Sequence, residues 1–165
     1  MRGLVVLLCC LWSQAAPAQG FAVHDLTGMA EAARAAFGGD SKAQAEPLRL
    51  IVTCAACAGA PSVDLQLGRL TDGTEERVRS GKTSFAALEG ICVKRNPDCR
   101  LTSLSVGRAV GWISVYAIGR SGGATAVILR DGDLLSIEAR AADRGTAEDA
   151  VQRLAQAVVP RIVGR

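Results

Sequence analysis

Histidine and aromatic residues are scarce in this chain. Of 165 residues one is a histidine, His24, and phenylalanine, tryptophan and tyrosine together supply 4%. A single histidine leaves little material for a Ser-His-Asp relay. Few rings also mean no base-stacking platform. Charge of one sign does not accumulate: 19 Lys+Arg stand against 16 Asp+Glu, for a net +3. With no polybasic run, nothing points to nucleic acid. Gly81-Lys82-Thr83 looks like the end of a phosphate loop, but the required glycine five residues earlier is Glu76. No bound cofactor is therefore expected. Outside the first residues there is no apolar run near the roughly 20 residues that a membrane helix needs.

What is present begins with a leader. Arg2 supplies a positive start, residues 3–12 an apolar core, and Ala16-Pro17-Ala18 a small-residue cleavage signature. Residues 1–18 are expected to be a secretory signal cut after Ala18. Removal of Arg2 then brings the net charge from +3 to +2. Neither Cys9 nor Cys10 follows the small residue that lipoprotein processing prefers, so the product is expected to carry no membrane span. The basic set is rich in arginine and poor in lysine, with only Lys42, Lys82 and Lys94, as in an Ala/Gly-rich bacterial genome. The expected destination is the periplasm.

Six cysteines become four once the leader is gone: Cys54 and Cys57 in a C-x-x-C, then Cys92 and Cys99. In an exported chain disulfides are the default. Four cysteines allow three connectivities, and the local pairs Cys54–Cys57 and Cys92–Cys99 need no assumption about the fold. Two alternatives use the same residues. Thiol–disulfide exchange at Cys54 and Cys57 is weakened because Gly59 and Pro61 deny a helix directly after the motif, and a helix N-terminus is what usually activates such thiols. Zinc or Cu(I) could take all four sulfurs, but six residues separate the second pair, more than a zinc knuckle uses. Arg77, Arg79 and Lys82 form a small basic cluster that could hold an anion, or could simply be a solvated strand edge.

Apolar periodicity predicts the elements. Residues 25–37 read as a helix, with Leu26, Met29, Ala30, Ala33 and Phe37 on one face. Residues 38–47 read as a loop, so residues 19–46 are expected to form a helix on a flexible linker, separable from a single domain at 47–165. Residues 48–53 and 63–67 read as strands, and 75–79 as a charged edge strand after an Asp72-Gly73 turn. A helix follows from Thr83 or Ser84 to about Lys94, stopped at Asn96-Pro97. Residues 101–106 and 110–118 are strands, Ser121-Gly122-Gly123 a turn, and 124–130 with 134–140 a hairpin across Asp131-Gly132. Thr146 is expected to cap a last helix, with Val151, Leu154, Ala155 and Val158 inward and Pro160 at its end.

Runs of adjacent strands with D-G turns indicate an α+β class: an antiparallel sheet of five to seven strands with an N-terminal, a central and a C-terminal helix. The hairpin feeding a last amphipathic helix, over residues 110–165, resembles small exported domains of the Mog1/PsbP type in element order. The functional expectation is a periplasmic binding or accessory protein, stabilised by disulfides, without catalysis of its own. Its partner would be an envelope protein or a small ligand.

Overall fold

The computed structural model describes residues 20–38 and 40–164. The expected leader at 1–18, its expected cut after Ala18 and the cysteines Cys9 and Cys10 lie outside the described residues. The class is α+β. A short 3-10 turn, Thr27–Met29, runs into helix α1, Ala30–Phe37. Strands β1 (Lys42–Glu46), β2 (Arg49–Thr53) and β3 (Ser62–Arg69) follow, then helices α2 (Thr74–Arg79) and α3 (Phe85–Arg95). Strands β4 (Arg100–Ser103), β5 (Val110–Ile118), β6 (Ser121–Arg130) and β7 (Asp133–Ala141) lead to the long helix α4, Arg144–Val163. All seven strands form one antiparallel sheet in the order β1-β2-β3-β7-β6-β5-β4.

Alternation along the strands gives the sheet one apolar face. The register sets Leu50 opposite Leu65, Leu65 opposite Ile137, Ile137 opposite Ala126 and Ala126 opposite Ile113. All five are buried. Onto this row α4 lays Ala147, Ala150, Val151, Leu154, Val158 and Ile162, spaced three or four apart as one helix face requires. Alanines on both partners, Ala124, Ala126 and Ala139 below and Ala147 and Ala150 above, let the helix sit close. Helix α1 packs beside α4 over β1 and β2, and Leu26 and Ala33 are fully enclosed. The Asp131-Gly132 hairpin has positive φ at both residues, 52° and 84°, as a type I′ turn demands.

Several expectations are corrected. Residues 38–47 are not a linker, because Lys42–Glu46 pairs along all of β2 and turns Ala43 and Ala45 toward the core. The first helix is accordingly docked: Phe21, Leu26 and Ala33 belong to the main apolar cluster. Residues 75–79 are helical, since Glu and Arg are good helix formers and Arg79 Nη2 reaches Glu75 Oε1 one turn away at 2.6 Å. β4 stops at Ser103. Ser121, Gly122 and Gly123 are strand, not turn. The cap of α4 is Asp143, whose carboxylate accepts from the Thr146 amide (2.9 Å) and hydroxyl (2.7 Å). Pro160 does not end α4, which continues to Val163; lacking an N–H, it cannot donate to the Gln156 carbonyl one turn back.

Candidate functional site

Seven strands at about 4.8 Å spacing span about 29 Å between the outer two, while packed helices lie about 10 Å apart. The apolar face therefore has room for three helix lanes, and α1 and α4 fill two. The third, over β5 and β4, holds a groove of about 740 Å³. Its floor is Ile113, and one wall is the segment after β4, with Leu104, Ser105, Val106 and Gly107. The other wall is the flank of α4, with Gln152, Ala155, Gln156 and Val159, ending at Pro160, Arg161 and Gly164. The lining is mainly apolar and contains no carboxylate, and its one cation is Arg161. Pockets of this size and character commonly hold small ligands. Sequence reading missed it. The signal was there in α4, where Gln152, Ala155, Gln156 and Val159 recur at spacings of three and four beside the core stripe and make a second face.

The cysteines pair locally, Cys54 with Cys57 and Cys92 with Cys99, with Cα separations of 5.3 and 5.8 Å. The first pair closes the turn after β2 and the second lies between the end of α3 and the start of β4. Since β2 and β4 are second and seventh in the sheet, five spacings, about 24 Å, separate those strands, and the two pairs cannot share one metal ion. Among the described residues no three of His, Cys, Asp or Glu gather as metal ligands.

A helix N-terminus does approach the C-x-x-C, though from far along the chain. The Ala142 amide donates to the Gly59 carbonyl at 3.0 Å. Cys57 lines a small cavity with Phe37, Thr146, Asp149 and Arg153, the last three from the first turns of α4. Local reasoning from Gly59 and Pro61 could not supply this helix. Its positive end is nevertheless already answered by Asp143, whose carboxyl the Thr146 amide and hydroxyl hold below the usual aspartate range. Cys54 is buried at 1% exposure, and Cys57 Sγ lies 3.6 Å from the Phe37 carbonyl oxygen, an acceptor that would favour a protonated thiol over a thiolate.

Helix α3 buries no residue, and its Phe85 and Ile91 are exposed. It is held by the Cys92–Cys99 bond, by Asn96 Nδ2 donating to the Ala117 carbonyl (2.7 Å) and by the Leu101 amide donating to Glu89 Oε1 (3.1 Å). Replacing Cys92 and Cys99 by serine is expected to cost about 2–3 kcal/mol on the chain-entropy model. Faster amide exchange should be confined to residues 85–99. Exchange that accelerates equally in β6 and α4 would contradict this local role.

The basic residues do not converge on one seat. Arg77 donates to the Asp72 carbonyl and the Thr74 hydroxyl, Arg79 to Glu75 and the Arg108 carbonyl, and Lys82 is exposed in the turn beyond α2. Trp112 and Tyr116 share the sheet face away from α4, where the Tyr116 hydroxyl lies 2.9 Å from Thr125 Oγ1.

Among the described residues the one strongly buried charge is structural. Asp133, at the start of β7, accepts from the Phe21 amide (2.8 Å) and Arg69 Nη1 (2.9 Å), and pairs with His24 Nε2 (2.8 Å). Burial pushes its carboxyl up, but the Phe21 amide, His24 and Arg69 outweigh that and hold it below the usual 3.8. Its stabilisation is therefore complete above that value and is lost as pH falls through the lower folded-state value. Asp133→Asn is expected to cost about 1–3 kcal/mol at neutral pH and to flatten the acid limb of the stability curve. Identical acid limbs in urea melts of the two proteins would contradict this. His24 thereby ties the N-terminal segment to the start of β7.

No protein-family model matches the chain, and no curated protein matches it in sequence. Among the described residues no helix is long and apolar enough to cross a membrane.

Proposed function

We propose that this chain is an exported, periplasmic binding or accessory protein without catalysis of its own, and that it holds its ligand in the groove between α4 and β5. The observation that carries this reading is the third lane: a concave, mainly apolar groove between the segment after β4 and the flank of α4, filled by neither helix. A folded domain gains stability by covering such surface, so an open groove is better explained by an occupant than by stability alone. The leader-like pattern of residues 1–18 and the two local cysteine pairs support export to an oxidising compartment.

The test is secretion of the full chain in a bacterial host. Intact-mass analysis of the envelope fraction is expected to find a chain starting at Gln19 with no free thiol. That protein should bind one molecule of the uncharged fluorophore Nile red, and Gln156→Trp, at the groove rim, should abolish binding without moving the melting temperature. A chain retained inside the cell, or dye binding unchanged by the variant, would overturn the proposal.

Thiol–disulfide exchange at Cys54 and Cys57 is the second reading, supported by the nearby start of α4. Against it stand the burial of Cys54, the Asp143 cap and the Phe37 carbonyl. A Cys54–Cys57 bond that equilibrates near the potential of periplasmic oxidants would favour it.

A further inference from the structure

We infer that the groove seats a single-chain amphiphile with a carboxylate head, a long-chain fatty acid anion; this rests on the binding function proposed above. The tail would lie on Leu104, Val106, Ile113, Ala155 and Val159, and the head would meet Arg161. Three observations lead there. The first is shape. From Gln152 to Gly164 the groove follows the last turns of α4 and the residue beyond it, about 18 Å at 1.5 Å per residue. An extended acyl chain, a single file of methylenes, suits a groove that is long and narrow along one helix flank.

The second observation is composition. The inner stretch is apolar, the condition for burying methylenes at about 0.8 kcal/mol each. Polar groups collect at the rim, in Ser103, Ser105, Gln152 and Gln156.

The third is charge. Arg161 stands at one end of the groove, and among the described residues it forms no ion pair. No carboxylate lines the groove to compete for it. One guanidinium matches one carboxylate, which it can engage with two parallel hydrogen bonds. A phosphate monoester, with a charge approaching −2, would be left half-neutralised. A head group at this end and a tail running back toward Gln152 give the ligand a defined direction.

Calorimetric titration of the exported, disulfide-bonded protein tests this with palmitate, laurate, the uncharged dodecanol and, as a head-only control, acetate. Palmitate and laurate are expected to bind one per chain and acetate not at all. Arg161→Gln should weaken laurate about 10-fold or more, the loss of one charge-assisted contact, and leave dodecanol unchanged. Gln156→Trp should abolish binding of all three long-chain probes at an unchanged melting temperature. Nile red bound in the groove with no affinity for fatty acids would overturn this inference and leave the binding function standing; no binding of either would overturn both. An equal loss of laurate and dodecanol in Arg161→Gln would overturn the assignment of the head group. So would a dimer in sedimentation that excludes the long-chain probes.

Discussion

Deleting residues 19–46 is expected to abolish cooperative folding. The segment carries Phe21 and Leu26, which are buried in the main core, and Ala33, which α1 sets against α4. Burial of each large side chain is worth about 1.5–3 kcal/mol, and its loss also uncovers apolar surface on α4 and β2. The Phe21 amide and His24 leave Asp133, which then keeps only Arg69. With β1 gone, β2 becomes a bare edge. Together these losses approach the 5–15 kcal/mol typical of a whole domain. Far-UV circular dichroism of the truncated chain on heating should show a broad, uncooperative change. A sharp transition near that of the intact protein would instead restore a separable N-terminal helix.

Gly122→Ala is expected to cost about 3 kcal/mol or more, at the upper end of what overpacking does. Gly122 is the second residue of β6, where that strand passes directly under the entry to α4. A methyl group there would overlap the carbonyl of Asp143 and the amide of Arg144. Backbone cannot swing aside as a side chain can, so β6 or the capped start of α4 must move. The Asp143 cap on Thr146 lies at that point, and a lost cap adds about 1 kcal/mol. The matched control is Gly90→Ala in α3, where an added methyl meets nothing within 4 Å and helix propensity favours alanine by about 1 kcal/mol. Urea melts of the two variants should move in opposite directions. Little change in Gly122→Ala would mean that β6 and α4 are not held as close as described.

Elements whose apolar residues repeat strongly were legible: β2 through Leu50 and Val52, β3 through Val63 and Leu65, the Asp131-Gly132 hairpin, and α4. The misread elements carry weaker or ambiguous letters. β1 alternates properly, but its inward residues are Ala43 and Ala45, and alanine contrasts little with lysine and glutamine on a sheet edge. The segment 75–79 has one apolar residue, Val78, so no period distinguishes helix from strand there. Gly122 and Gly123 looked like a turn because glycine serves both tight turns and close backbone approach. The local disulfide pairs were among the readings open from sequence, because their partners are near in the chain. The groove was not, since its walls lie some fifty residues apart and its existence depends on how many helix lanes the sheet leaves uncovered.

The central claim is that ligand is held between α4 and β5. Amide hydrogen exchange on the exported protein, with and without saturating Nile red, tests it most directly. Added protection is expected in residues 103–107 and 152–164, with no change around Cys54 and Cys57 or on the Trp112 and Tyr116 face of the sheet. Protection centred on either of those regions, with residues 103–107 unaffected, would contradict it.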